Sequence, residues 1–451
     1  MDSRLTLSTL FSTLSAERET WLDDVFVRTP QAEVCFADQS TIIYGDSGMG
    51  KTALRLYLKK NIPSDTLAIS WSPEPLAFST PSTPVAQAAI RQALQALFEQ
   101  VVQNPVIPER FLQAPSWVQT AFSWFLREYL PMDPVFYVQI QAAKLGKDAL
   151  AWYDKILQSS AADLFKAGHS QNDELRALVL LFKQAGYQQV WWLIDGLEKW
   201  PTNTERGAAV QVLIESLLST LAIFDVPSLH FKVFISEPMR GYFEKTSGVG
   251  RDRFNPVRLV WSEEQLQTLL VKRLAQGLEQ EKFSLAQLCA DSNWYKWLCQ
   301  YGWQNPRAWL SLTRPFVEKF ISLMHPLETY EWNLVARQFP PPLHISTERH
   351  EIQLGEYVVS VESGDGFKII QYLADNPNKI CSLEDVYFCG IKGFKEIPAL
   401  RDDKWEHKSL WRPALDTTLY RLRQKLEWDA GNPIYLVTHP RRGLELKHLA
   451  K

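Results

Sequence analysis

A glycine-rich stretch carries the residues best suited to chemistry in this chain. Gly45-Asp46-Ser47-Gly48-Met49-Gly50-Lys51-Thr52 matches the spacing G-x-x-x-x-G-K-[ST]. Glycines at these positions let the backbone turn tightly and direct successive N–H groups at an anion. Lys51 is placed to reach the β- and γ-phosphate oxygens, and Thr52 to offer its hydroxyl to Mg²⁺. The stretch therefore predicts a phosphate-binding P-loop, with ATP and Mg²⁺ as cofactors.

The segments on either side of the P-loop fit a strand and a helix. Ile42, Ile43 and Tyr44 form an apolar run that predicts the end of a buried strand. The pattern KTALRLYLK, from about 51 to 59, predicts a helix whose positive dipole end faces the same anion. Short glycine-rich patterns also arise by chance, but a complete match between a strand and a helix favours nucleotide binding.

An acidic residue ends a second apolar run. The segment 189–195, QVWWLID, reads as a central parallel strand that finishes at Asp195. An aspartate there is suited to hold Mg²⁺ through water beside Thr52. Glu198, in the same loop, is predicted to polarise the attacking water; the alternative is an ordinary solvated acid. Lys51, Asp195 and Glu198 are thus the predicted catalytic residues, together with Arg240 below.

One serine and four arginines are candidates for sensing phosphate charge. Ser236 lies at the tip of a strand-like segment, and Arg240 follows it closely enough to act by its charge. Arg251 and Arg253 precede another strand-like run, where an arginine can reach the nucleotide of a neighbouring subunit. Arg307 begins a helix in the sequence Asn-Pro-Arg and is predicted to stabilise phosphate charge. The alternative is a surface salt bridge for the other arginines and an ordinary helix-surface arginine for Arg307.

Composition narrows the class of protein. A chain of 451 residues exceeds one ordinary core, so two or three domains are expected. The net charge of −3 gives no global basic field, so any nucleic-acid binding must come from a local patch. The five cysteines lack metal-ligand spacing and are odd in number, which argues against a disulfide framework. Neither a signal peptide nor a long apolar run is evident, so we expect a cytoplasmic protein without a membrane partner.

Changes of pattern along the chain predict its organisation. The predicted division is an ATPase core at 1–262, which contains a helical insertion at 85–186, then a helical lid at 263–325, a proline-rich linker at 326–348 and a last domain at 349–451. The insertion is interpreted as a scaffold, with a protein-partner module as the alternative.

A basic amphipathic helix is predicted near the C-terminus. Leucines 415, 419, 422 and 426 fall on one face, which leaves polar side chains opposite. Short hydroxyls can approach base edges, while arginine and lysine suit phosphates. The predicted DNA-binding residues of this helix are Thr417, Thr418, Arg421, Arg423 and Lys425. The stretch from Lys404 to Lys447 holds nine basic and five acidic side chains, a local excess of four positive charges.

The first part of the chain resembles AAA+-related ATPases, and within them the STAND class. The features that carry the resemblance are the P-loop, the strand end LIDGLE, the strand ending at Ser236 and the helical segment with Asn-Pro-Arg, over about residues 20–325. The resemblance implies an ATP-driven switch in which nucleotide exchange or a trigger opens the lid and permits homo-oligomerisation. The long insertion departs from the class, as does the lack of a repeat-rich sensor array.

The last part resembles the winged-helix domains of OmpR-type response regulators. The carrying stretch is LDTTLYRLRQKLEWDAGNPIYLVTHPRRGLEL at 415–446, with two further helices expected in 366–388. In that family the helix lies in the major groove and a hairpin wing contacts the minor groove. The resemblance implies that Arg441 and Arg442 at the wing contact double-stranded DNA. A longer segment at 390–413 and an altered wing sequence depart from the family, and no receiver domain is present.

These observations predict an α/β P-loop NTPase, with a parallel sheet, a large helical insertion and a helical lid, joined to a C-terminal α+β winged helix. The function expected is an ATP-binding, slowly hydrolysing STAND-like switch that controls oligomerisation and sequence-specific DNA binding in transcription. The alternative is a signalling or defence ATPase whose winged helix docks a protein partner. A motor-like ATPase acting on DNA without sequence preference is a third possibility.

Overall fold

The computed structural model describes residues 10–11, 14–74, 85–104, 106–112, 114–141, 144–158, 169–200, 204–219, 221–240, 253–361, 364–397 and 411–450. The chain divides into two compact units, one of residues 16–260 and one of residues 1–15 with 261–451. The predicted core of 1–262 therefore ends close to the division, whereas the first 15 residues belong with the second unit.

The first unit is built on a five-stranded parallel sheet. Its strands are β1 (Thr41–Tyr44), β2 (Thr66–Trp71), β3 (Gln189–Ile194), β4 (Leu229–Ile235) and β5 (Asn255–Arg258). They lie in the order β2-β3-β4-β1-β5, and every pair is parallel. Because β4 lies between β1 and β3, the strand before the P-loop and the strand before Asp195 are not hydrogen-bonded neighbours. The predicted α/β fold with a parallel sheet is confirmed.

The strands read as continuous apolar runs because both faces of the sheet are covered. All of β1 is buried, and so are the five residues of β3 from Val190 to Ile194. Trp191 and Trp192 are among the largest fully buried side chains of the described residues. Parallel strands also place their carboxyl ends at one edge, and the chain leaves β1, β3 and β4 there into Gly45, Asp195 and Ser236.

Helices cover the sheet and fill the predicted insertion. Those of the first unit are Leu22–Val25, Pro30–Val34, Lys51–Asn61, Val85–Gln103, Val106–Leu112, Ser116–Tyr129, Pro134–Ile140, Lys147–Gln158, Gln171–Gln184, Glu205–Ser219 and Leu221–Phe224. Aromatic rings join the insertion helices, with the ring centroids of Phe111 and Phe122 4.5 Å apart and those of Phe98 and Phe125 5.5 Å apart. Apolar residues at helical spacing thus build a packed core within the described residues between 85 and 186, and the role of the insertion stays a prediction.

The second unit contains helices followed by small antiparallel sheets. Its helices are Glu263–Leu278, Leu285–Leu288, Ser292–Gly302, Pro306–Leu323, Thr329–Gln338, Asp365–Ala374 and Trp411–Leu426, with a π-helical segment at Asp385–Ile391. Its strands are β6 (Leu343–Ser346), β7 (Glu351–Leu354), β8 (Tyr357–Ser360), β9 (Leu436–His439) and β10 (Gly443–Leu446). Strands β6–β8 form one sheet and β9 and β10 a hairpin, an arrangement compatible with a winged helix.

The segment 326–348 is not a plain linker, which corrects the prediction. It contains the helix Thr329–Gln338 and strand β6. Trp332 is buried and donates from Nε1 to Asp291 Oδ2 at 2.9 Å. The three consecutive prolines indicated a stiff connection, but they occupy only 340–342. Val335 and Leu343, on either side of them, are buried within the second unit.

A buried lysine ties the start of the first unit to its sheet. Lys232, on β4, donates from Nζ to the carbonyl oxygens of Ala37 and Gln39, both at 2.7 Å. Its ammonium lies 4.6 Å from the ring centroid of Trp191. Burial lowers the pKa of Lys232 to about 8.

Replacing Lys232 with methionine is expected to remove a pH-dependent part of stability. The folded pKa of about 8 lies below the ordinary value of 10.5. Between these values the unfolded chain holds more protons, so the contribution of Lys232 to stability rises with pH. The free energy of unfolding of wild type minus that of Lys232→Met should increase by up to about 3 kcal/mol across this window.

Urea unfolding at several pH values measures this difference. Lys155→Met, at an exposed position of the helix Lys147–Gln158, is the matched control. The free energy of unfolding of wild type minus that of Lys155→Met should not change with pH. Equal pH slopes for the two variants would contradict the assignment of a buried ammonium.

Candidate nucleotide site and nucleic-acid face

The P-loop has the backbone shape that an anion cradle requires. Gly48 and Gly50 adopt φ angles of +86° and +89°, a region that favours glycine. The helix Lys51–Asn61 begins directly after Gly50, which has no side chain to cap it. Backbone N–H groups at this helix start are suited to a phosphate. The residues therefore fit the phosphates of a nucleotide.

Lys51 is held over the loop it belongs to. Its ammonium donates to the carbonyl oxygens of Gly45 at 2.8 Å and Asp46 at 3.1 Å, and its side chain is only 4% exposed. Glu198 Oε1 lies 3.7 Å from the same ammonium. The structure therefore brings together two of the predicted catalytic residues, although they are far apart in sequence.

Asp195 lies at the end of β3, as predicted, but has a partner that the sequence analysis missed. Arg55 Nε donates to Asp195 Oδ2 at 2.9 Å, while Asp195 Oδ1 accepts from the backbone N–H of Gly196 at 2.8 Å. Arg55 follows Thr52 by three residues, so both lie on one side of the P-loop helix. That spacing was the available signal.

The donor set fits a Mg²⁺ ion that is carried largely by nucleotide phosphates and water. In the part of the chain that the structure describes, no group of three or more His, Cys, Asp or Glu side chains is arranged to hold a metal ion. Thr52 and Asp195 are the two predicted ligands. Magnesium commonly takes one or two protein ligands together with phosphate oxygens, so this sparse set is sufficient.

The sensor candidates have separate environments. Arg240 Nη1 is 3.2 Å from Glu237 Oε1, and its guanidinium lies 5.3 Å from the ring centroid of Tyr44, the residue before the P-loop. Arg253 forms an ion pair with Asp225, which matches the salt-bridge alternative. Arg251 lies outside the described residues. Ser236 follows β4 directly.

Arg307 belongs to the second unit. Its backbone N–H donates at 3.0 Å to Asn305 Oδ1, which caps the helix Pro306–Leu323. The sequence correctly places it at a helix start, and its role in phosphate binding stays a prediction.

The C-terminal helix Trp411–Leu426 has the amphipathic character predicted. Leucines 415, 419, 422 and 426 are all buried. The polar side bears exposed side chains: Thr417, Tyr420, Arg421, Gln424 and Lys425. Tyr420 and Gln424 share this side but do not belong to the short hydroxyl and basic residues from which the prediction was made. The hydroxyls of Thr417 and Thr418 donate within the helix to the carbonyl oxygens of Pro413 and Ala414. Toward a group outside the helix, each hydroxyl oxygen can therefore act only as a hydrogen-bond acceptor.

Arg423 and Glu427 connect this helix to the hairpin. Arg423 donates from Nε and Nη2 to the carbonyl oxygen of Leu436 at 3.1 and 2.9 Å. Glu427 is buried and accepts backbone N–H groups from Ile434, Tyr435 and Leu436 at 2.7–2.9 Å. Burial lowers the pKa of Arg423 and raises that of Glu427. Two of the nitrogens of Arg423 are thus committed within the domain, and its predicted DNA contact stays a prediction.

Arg441 and Arg442 occupy the turn between β9 and β10, and both are exposed. The hairpin is anchored close to its turn by Leu444, whose N–H and carbonyl pair with the carbonyl and N–H of Cys381, both at 2.8 Å. Gly443 adopts a φ of +133°, and a Cβ placed there would lie 1.9 Å from the Cys381 carbonyl oxygen. The close approach therefore requires glycine.

Comparison with known proteins adds little to this geometry. No family model matches the chain. No curated protein matches it significantly either. Among solved structures, the chain is similar to the Aeropyrum pernix ORC2 protein in its ADPNP–ADP complexes, with 13% identity, a TM-score of 0.35, and coverage of 93% of this chain and 89% of that one. A likeness this low carries no argument, so the fold and the site rest on the contacts described above. No described helix is long and apolar enough to cross a membrane.

Replacing Gly443 with alanine is expected to release the hairpin from its anchor. The added methyl group would collide with the Cys381 carbonyl, so the two backbone hydrogen bonds of Leu444 must break or shift. A loss of roughly 2–4 kcal/mol in the stability of the second unit is expected. Urea unfolding and amide hydrogen exchange at Leu444 measure it.

Gly146→Ala is the matched control, because a Cβ there meets no atom within 4 Å. Gly443→Ala with wild-type stability and protected exchange at Leu444 would show that the hairpin is not anchored as described.

Proposed function

We propose that the chain is an ATP-binding switch of the AAA+ type, similar to the STAND class, that controls its own assembly and the binding of double-stranded DNA by a C-terminal winged helix. The observation that carries the nucleotide part is the P-loop with the buried ammonium of Lys51 folded onto its carbonyl oxygens. When a nucleotide binds, the ammonium can exchange its hydrogen bonds to these carbonyl oxygens for stronger ones to phosphate oxygens.

The roles proposed for the site residues follow from their chemistry. The P-loop N–H groups and Lys51 bind phosphates, and Thr52 and Asp195 hold the Mg²⁺ that shields phosphate charge. Glu198, which is 43% exposed beside Lys51, polarises the attacking water. Arg240 is placed beside Tyr44 at the entrance to the P-loop and stabilises phosphate charge. We propose slow hydrolysis, as befits a switch.

The DNA part rests on charge and exposure in the second unit. Arg421 and Lys425 are exposed on the polar side of the C-terminal helix, and Arg441 and Arg442 on the hairpin turn. The first pair is proposed to contact phosphates, the second to enter the minor groove. Thr417 and Thr418 approach base edges as acceptors. Arg423 is proposed to act mainly by fixing the hairpin to the helix.

The lid helices and the winged helix are proposed to act as one body. Within the second unit, the carbonyl of Tyr301 accepts from the N–H of Glu356 at 2.9 Å, and Asn305 Nδ2 donates to Glu356 Oε1 at 3.1 Å. Tyr435 Oη donates to the carbonyl of Pro341 at 2.9 Å. Asn305 also caps the helix that bears Arg307. A change in the lid would therefore reach the DNA-binding surface without passing through a flexible linker.

Lys51→Ala is expected to abolish nucleotide binding and nucleotide-dependent assembly, because the phosphates lose their main cationic partner. Fluorescent ATP titration and sedimentation velocity measure the two effects, with at least about a hundredfold weaker binding expected. Lys60→Ala, at an exposed lysine near the other end of the same helix, is the control. A Lys51→Ala variant that still assembled on addition of ATP would contradict the switch.

Arg421→Glu combined with Lys425→Glu is expected to abolish DNA retention. Two phosphate contacts become repulsive. At salt concentrations low enough to detect any remaining binding, the slope of log binding constant against log salt concentration should be smaller by about two units. The measurement is retention of sheared genomic DNA at physiological salt, with sequencing of retained fragments, in ATP, in ADP and without nucleotide. Selective recovery of a few sites in one nucleotide state is the expected wild-type result.

Lys282→Glu combined with Arg314→Glu makes the same change in net charge at exposed positions of the lid, one in the loop after the helix Glu263–Leu278 and one on the helix Pro306–Leu323, and should retain DNA. Uniform, salt-sensitive retention of all fragments would favour a nonspecific DNA ATPase. No retention in any state would favour a protein-docking platform.

A further inference from the structure

We infer that Arg55 is a built-in counter-ion that occupies Asp195 and competes with Mg²⁺ for it. The inference rests on the proposed nucleotide site and adds a positioning residue that the P-loop motif does not contain. Its basis is the hydrogen-bonded ion pair between Arg55 Nε and Asp195 Oδ2.

The pair is buried and well made. The Nε–Oδ2 distance is 2.9 Å, and the two side chains are 14% and 5% exposed. The other carboxylate oxygen accepts the N–H of Gly196, and the Asp195 backbone N–H donates to the carbonyl of Trp71. Both oxygens of Asp195 are thus bound by donors, in an orientation fixed by the end of β3. A cation that approaches Asp195 therefore meets the positive charge of Arg55 already at Oδ2, and the two cations compete for one negative charge.

The charge balance of the site follows from this pair. A bare carboxylate at the end of β3 would carry one negative charge and attract Mg²⁺ directly. With Arg55 in place the Arg55–Asp195 pair is neutral. Mg²⁺ therefore gains less from Asp195 than an unpaired carboxylate would offer.

The position of Arg55 makes the competition local. Arg55 lies one helical turn beyond Thr52, the other proposed Mg²⁺ ligand, on the helix that starts at the P-loop. Its charge also contributes to lowering the pKa of Lys59, one turn further along, after the larger effect of burial. A second cation is therefore already disfavoured on this side of the helix while Arg55 stays in place.

The first test uses nucleotide-free protein. In Arg55→Met, Asp195 is left buried without its counter-ion, which destabilises the first unit. Mg²⁺ can then take the place of the guanidinium, so the melting temperature should fall by several degrees in EDTA and recover in millimolar Mg²⁺. Wild type should respond to the same Mg²⁺ by less than about 1 °C. The double variant Arg55→Met with Asp195→Asn should show no Mg²⁺ response.

The second test measures the Mg²⁺ dependence of ADP binding with a fluorescent analogue. Arg55→Met should lower the half-saturating Mg²⁺ concentration by about tenfold or more, since the ion no longer competes with an arginine. Arg55→Lys, which keeps a cation but loses the Nε contact, should give a half-saturating Mg²⁺ concentration between those of wild type and Arg55→Met. Arg91→Met removes an exposed arginine paired with Glu128 and serves as the control for loss of a surface ion pair.

The outcomes separate the inference from the proposed function. Arg55→Met with the Mg²⁺ response of wild type in both tests would overturn the inference and reduce the pair to a structural contact. If Arg55→Met does not fold, Arg55→Lys must still show a lower half-saturating Mg²⁺ concentration than wild type, because its ammonium cannot reproduce the Nε contact; an unchanged value overturns the inference. Wild type that binds no nucleotide at any Mg²⁺ concentration would overturn the proposed function, while the melting experiment would still decide the role of Arg55.

Discussion

The first unit depends on the burial of charge at one edge of a parallel sheet. The strands are covered on both faces, and because they run in parallel, their carboxyl ends meet at the same edge of the sheet. At this edge the side chains of Lys51 and Asp195 are only 4% and 5% exposed. Each charge must find a partner there, and the pairs Lys51–Glu198 and Arg55–Asp195 meet this requirement.

The same constraint explains which parts of the site the sequence could predict. The P-loop and the acid at the end of β3 are local patterns, in which a run of neighbouring residues determines both the backbone shape and the chemistry. The contact of Arg55 with Asp195 joins residues 140 positions apart, and it depends on strand order and on the rotation of the P-loop helix. Spacing alone shows that Arg55 shares a side with Thr52, but does not show what faces that side.

The second unit gives a similar lesson. Leucine spacing predicted the buried face of the C-terminal helix, because 3.6 residues per turn is a property of any helix. The same reasoning put Arg423 at the edge of the polar side, and it could not show that the guanidinium donates to the Leu436 carbonyl. A long side chain at the border of two faces reaches its nearest acceptor, and that acceptor lies on a hairpin that is bonded to Cys381 through Leu444. The prolines at 340–342 predicted a linker incorrectly for a related reason, since three residues of stiff backbone do not prevent the burial of neighbouring apolar residues.

The absence of a plain linker at 326–348 changes where this protein can be cut. A fragment that began at residue 349 would lack strand β6, and would separate Leu343 from the His448 carbonyl and the Ala450 N–H that it pairs with. It would also leave the Tyr435 hydroxyl without the Pro341 carbonyl. A cut that keeps these contacts must therefore fall before Pro341, and the compact unit that holds them comprises residues 261–451 together with residues 1–15.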